Sequence, residues 1–164
     1  MDAIPAYFFE HNTWANLRLL DACAELTEPQ LDVAVPGTFG TIRDTLVHLA
    51  GNEENYLALL TGEQPEHPLR RGDPFPGMDA LRERFQRSGT ALAKAAVKLA
   101  PDAVLRGTHH GEPYAIHAVV VLLQVINHGT EHRAHVATIL SRQGIAPPTL
   151  DSWAYHEATA TNGA

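Results

Sequence analysis

The chain has 164 residues, 45 % of them hydrophobic, and a mean hydropathy of -0.16, so it has the size of a single domain over 1–164 and enough apolar surface to fill a core. Its formal net charge of -7 argues against nucleic-acid and anionic-membrane partners, which call for clustered Lys and Arg. One cysteine, Cys23, excludes an intrachain disulfide. With an acidic opening, "MDAIPAYFFE", that is unlike a secretory leader and no run of about 18 apolar residues, this predicts a cytoplasmic protein without a membrane span.

Taken in order, Ala3–Leu26 carries apolar residues at helical spacing: Ile4, Phe8, Ala15, Leu19 and Ala22, with Tyr7, Trp14 and Leu20 beside them. Cys23 falls in this stretch and reads as a small core residue rather than a nucleophile. "TEPQLDVAVPGTFG" breaks the pattern. A second helix starts at Thr41, with Asp44 placed for a capping box, and follows Ile42, Leu46, Leu49, Tyr56 and Leu60 to Thr61–Gly62. After the proline-rich "GEQPEHPLRRGDPFPG", a third helix spans about Met78 to Leu99. "DAVLRGTHHGEPYA" has the glycines for a short hairpin. A last long helix is expected from about Tyr114 to Arg142, then a short helical piece over Trp153–Ala158 and a frayed end.

Four long helices without convincing strand alternation define an all-α fold, an antiparallel four-helix bundle with long connecting loops. From Tyr114 to Ile126 the last helix is apolar almost all round. Such a helix is buried on every side, which points to a homodimer interface there, or to a loop or the C-terminal tail covering that face. The basic pieces Arg70–Arg71 and Arg82–Arg84–Arg87 are flanked by acids and read as solvated surface.

"INHGTEHRAHVATILSRQG" carries the chemistry. At about 100° per residue, His132 lies about 40° and His135 about 20° from His128 around the helix. His117, Gln124, Val121 and Ile139 fall near the same line. Imidazoles one turn apart can share one ion at about 2.0–2.1 Å, whereas buried unpaired polar groups cost about 1–3 kcal/mol each. A third ligand must come from elsewhere. His11, His67, His109, His110 and His156 are available, but His48, in "RDTLVHLAGNEENY" at the flank of a helical apolar stripe, can reach between helices. Periodicity leaves His48 open between a ligand and a locally hydrogen-bonded side chain.

"HGTEH" also spells the H-x-x-E-H pattern of inverted zincins, with Glu131 as a general base, but those proteases are far larger mixed folds and we read the match as fortuitous. Glu131 is placed to accept a proton from a ligand imidazole. Glu53, on the centre line of the second helix, is either paired in the core or exposed at the bundle end. Trp14, Tyr56 and Trp153 read as core or rim aromatics. Arg133, about 140° from His128, is expected at a surface or interface.

Three segments, in order and spacing, resemble the DinB/YfiT-like superfamily of small metalloproteins: "HNTWANLRLLDA", "GTFGTIRDTLVHLAGNEENYL" and the histidine helix, with its H-x-x-x-H-R pattern and terminal glycine. The resemblance covers most of the chain. It implies a single four-helix-bundle domain, a homodimer in many members, and a metal held by His48, His128 and His132. His135 stands where relatives commonly carry glutamine, and is open as a further ligand, a proton shuttle or a neutral replacement. Relatives include bacillithiol and mycothiol S-transferases and a thiol-dependent maleylpyruvate isomerase. The family name records DNA-damage induction, a stress response, and implies no DNA binding.

The reaction this implies is transfer of a low-molecular-weight thiol to a small-molecule electrophile through a metal-bound thiolate. The alternatives are hydrolysis by metal-activated water and metal or ligand binding without catalysis. Zinc is the first choice of ion and nickel the second.

Overall fold

The local rules written at Thr41 operate as read. Its Oγ1 accepts the backbone N–H of Asp44 at 3.0 Å, and its own N–H donates to Asp44 Oδ2 at 3.2 Å. The helix so started, α3 (Ile42–Thr61), ends on Gly62, whose φ of 78° is the left-handed closure that glycine adopts without penalty. The computed structural model describes residues 3–70, 72–109 and 111–160. Around α3 stand α1 (Ala3–Ala24), α4 (Met78–Lys98) and α5 (Ala118–Arg142), with the short α2 (Glu28–Leu31) and α6 (Ser152–Ala160) outside them. The frayed end expected beyond α6, Arg71 and His110 lie outside the described residues.

Helix α1 packs on α4, α4 on α3, α3 on α5, and α5 back on α1, closing a four-helix bundle. Its core is built on Leu19, Leu20, Cys23, Ile42, Leu46, Leu81, Phe85, Val136, Ile139 and Leu140, all fully buried; a second cluster gathers Phe9, Leu92, Ala96 and Val125. Cys23 is therefore a core residue, and burial pushes its thiol up to about 12. No helix among the described residues is long and apolar enough to cross a membrane.

Three sequence expectations need correction. The last long helix begins at Ala118, not Tyr114, because Val104–His109 (β1) and Glu112–His117 (β2) pair as an antiparallel hairpin. In β2 burial alternates, with Tyr114 and Ile116 turned inward and Ala115 and His117 outward, a period of two that overrides the helical reading. Tyr114 lies over Gly107, where a Cβ would come within 2.5 Å of its hydroxyl. His117 thus leaves the histidine line, and Gln124 on α5 is exposed. On α1, Ile4 and Phe8 are 60 % and 56 % exposed, and Phe9 takes the core place instead. Trp153 is 78 % exposed, neither core nor rim.

Candidate metal centre

Helices α3 and α5 lie side by side, and this brings His48 against His128 and His132. Each of the three offers a nitrogen, and these atoms all lie within 4.8 Å of one another. The Nε2 atoms of His48 and His128 are 3.1 Å apart. Ring centroids stand 4.3 Å apart for His128–His132 and 4.6 Å for His48–His132. In a tetrahedral site with metal–nitrogen bonds of about 2.05 Å, neighbouring ligand nitrogens sit about 3.4 Å apart. Small side-chain rotations therefore suffice to bring the three onto one ion.

The donor chemistry fits such an ion. Among the described residues, His132 Nδ1 is buried and has no hydrogen-bond partner, and the same holds for His135 Nδ1. Native interiors rarely leave such atoms orphaned unless a ligand or water completes them. His128 is held down at about 4, first by burial and then by the neighbouring His132 and His48. His132 is held below the ordinary imidazole range by burial and by His135, with the Glu131 charge opposing. Both rings are thus neutral at physiological pH, the state that binds a metal. The three histidines can hold a metal ion.

The remaining expected residues lie around the triad. His135, half-buried, stacks edge-on to His132 at 5.3 Å, outside the group of three. Glu131 is exposed and, among the described residues, hydrogen-bonds none of the histidines; it reaches the site through its charge. His11 is engaged elsewhere, with Nε2 2.9 Å from the Leu150 carbonyl, and His67 and His156 are exposed.

Sequence reasoning missed three neighbours of the triad. Phe39 stacks on His48 at 3.9 Å and meets His132 edge-on at 5.1 Å. A turn places it there: the Thr38 N–H donates to the Val35 carbonyl at 3.1 Å, and Gly37 takes φ 89° after Pro36. Pro-Gly at the centre of four residues is the signature of a type II turn, so the signal was legible, but not its destination. Asn52, one turn beyond His48, sets its side-chain amide 2.9 Å from His48 Nδ1. Tyr56 meets His128 edge-on at 5.6 Å.

Beside the triad runs a buried polar network. Glu53 is fully enclosed and accepts from Asn12 and Asn16 Nδ2, each at 2.9 Å, and from Ser88 Oγ at 2.5 Å. Arg133 Nη1 donates to the side-chain oxygens of the same two asparagines, each at 2.7 Å. Arg133 is 5 % exposed, so the surface expected for it is wrong. Burial pushes the Glu53 carboxyl up and the Arg133 guanidinium down to about 10; the donors on Glu53 and the attraction between the two charges oppose this. A Cβ on Gly129 would come 2.7 Å from Asn12 Oδ1, so glycine there keeps α1 and α5 close enough to form the network.

Fold and site together define a four-helix bundle with a three-histidine centre between two of its helices. Residues 2–163 match the DinB family, and the chain belongs to that family. Among solved structures it is similar to a DinB-like protein from Bacillus cereus ATCC 10987, with a TM-score of 0.63 and 18 % sequence identity over 85 % of this chain and 91 % of that one. That likeness bears on the fold. Comparison with curated proteins found no match.

Proposed function

We propose that the chain is a divalent-metal-dependent enzyme that transfers a low-molecular-weight thiol to a small electrophile. The observation that carries this is the convergence of His48, His128 and His132 within 4.8 Å, two of them neutral through burial and one with an orphaned Nδ1. These three residues would hold the ion, zinc in the first place and nickel in the second, since imidazole suits both. A bound divalent ion supplies the acidity that keeps a thiol as its thiolate, the nucleophilic form. The chain's own residues do the rest. Phe39 walls the site against water on the His48 side. Asn52 orients the His48 ring. His135, whose buried Nδ1 has no partner among the described residues, would take the proton the thiol releases.

The apolar face expected to pair two copies is open: Val119, Val120 and Leu123 are 57 %, 55 % and 58 % exposed, and Val119 and Leu123 line a groove with Phe8. We assign it to a homodimer, which a Leu123→Glu variant should dissociate in light scattering. The single cysteine fits a cytoplasmic setting.

The test of the central reading is metal content by elemental mass spectrometry, wild type beside His128→Ala, followed by a screen of thiols and electrophiles. Near-stoichiometric zinc or nickel, lost in the variant, with thiol-dependent turnover is expected. Turnover of esters or amides without thiol would move the reading to hydrolysis. Protein that neither carries nor takes up metal would overturn it.

A further inference from the structure

The pocket that opens onto His48 has a composition unlike the rest of this acidic molecule. It encloses about 350 Å³, and Phe39, Gly51 and Leu69 form its apolar walls. Its polar lining residues, beyond His48, are Asn52, Asn55 and Arg70. The chain carries 19 acidic residues, and among the described residues no acid lines it.

Arg70 is held at this rim by the fold. Helix α3 presents Gly51 to the loop after it, and a Cβ there would come within 2.6 Å of the Leu69 carbonyl. The absence of that Cβ lets the loop backbone settle on α3 one turn beyond His48. Asp73 accepts the Arg70 backbone N–H at 2.7 Å and faces a neighbouring cavity with Arg43 and Asp44. The Arg70 guanidinium itself pairs with no carboxylate among the described residues, whereas Arg43, Arg82, Arg84 and Arg87 all do. Arg70, with no carboxylate partner among the described residues, lines this pocket with Asn55, and its guanidinium is a planar multi-donor group suited to a carboxylate.

We propose that the thiol accepted at this centre carries a carboxylate, which Arg70 and Asn55 hold while its sulfur reaches toward His48, His128 and His132. This rests on the thiol-transfer reading above and adds the substrate's charge and the residue that selects it. The sequence alone hid Arg70 among surface basics, because only the docking of the loop on Gly51 brings it to the pocket.

Two probes of equal length separate the claims: 3-mercaptopropionate and 3-mercapto-1-propanol, titrated calorimetrically into zinc-loaded and zinc-free protein, in wild type and Arg70→Gln. Arg70 is exposed, so the variant should keep the wild-type Tm, which is checked first. The acid should bind wild type roughly tenfold tighter than the alcohol, as a charge-assisted pair predicts, and the ratio should fall toward one in Arg70→Gln with the alcohol unaffected. Equal binding of acid and alcohol by wild type, or an acid preference that survives Arg70→Gln, overturns the proposal. Zinc dependence reads the other question. If the acid preference is present and Arg70-dependent but neither thiol binds more tightly with zinc, the carboxylate site stands and the metal–thiol reading fails. If zinc strengthens both thiols but acid and alcohol bind equally, the metal–thiol reading stands and the carboxylate site fails. No binding of either probe in either state counts against both.

Discussion

His48 and His128 are 80 positions apart in sequence, yet their Nε2 atoms stand 3.1 Å from each other. Two imidazole nitrogens at that distance share a proton or a metal. The neutral, buried state of His128 favours the metal. An ion bound only by the native state stabilises it by RT ln(1 + [L]/Kd). Zinc at about a thousand times its Kd should therefore raise the Tm by roughly 10 °C. The rise should vanish in His48→Ala and in His128→Ala, and differential scanning calorimetry with and without zinc reads it directly.

The metal-free protein should lose stability on acidification. The pKa of His128 falls from an ordinary value near 6.5 in the unfolded chain to about 4 in the fold. Between these values the unfolded state binds the extra proton, so stability is full above about pH 6.5 and declines as pH drops toward 4. His132, shifted in the same direction, adds to the slope. Urea midpoints between neutrality and pH 4.5 should fall more steeply for wild type than for His128→Leu. Parallel slopes would contradict the burial of these rings.

Arg133 and Glu53 should prove energetically coupled. Replacing Arg133 with Met strips the donor from Asn12 and Asn16 and leaves the Glu53 charge enclosed without its counter-charge. Breaking a buried pair from one side costs about 3–5 kcal/mol. Because Glu53→Gln removes the charge that Arg133 balances, the double variant should be less destabilised than the sum of the singles. Guanidinium denaturation of all four proteins closes the cycle; strict additivity would mean that the two groups do not sense each other.

Cys23 should be silent toward thiol reagents. Its sulfur is buried in the α1 core and its thiol is pushed up to about 12, so almost no thiolate exists at neutral pH. Ellman's reagent should modify it only after denaturation, with native reaction slower by orders of magnitude. Rapid native labelling would reopen a role for the chain's own thiol in the chemistry.

Helix ends and the facing of the histidines were legible because they depend on neighbours a few residues away. Thr41 and Asp44 cap α3 through each other, and His128 and His132 share a face by spacing alone. Arg133 was misread for an instructive reason. An angle from His128 says that Arg133 looks elsewhere, but α5 packs on α3 with one face and on α1 with another, so elsewhere is also interior. Phe39 and Arg70 reach the site through loop docking, which no local periodicity encodes, whereas Asn52 meets His48 at i, i+4 on α3, a spacing that was there to be read. The hairpin was legible from its glycines, but the end of its second strand was assigned to the helix because Tyr114–His117 runs directly into the apolar opening of α5.

The network of Asn12, Asn16, Glu53, Ser88 and Arg133 ties α1, α3, α4 and α5 together without drawing on any of the three clustered histidines. Assembly and loading are thereby separable events. Unlike a zinc finger, whose peptide has no shape before its ion arrives, this chain has a core and a polar network that need no ion to close. Which ion such a site would then acquire would be a matter of supply and exchange among free pools, and variation at the three histidine positions could retune that choice without asking the scaffold to be rebuilt.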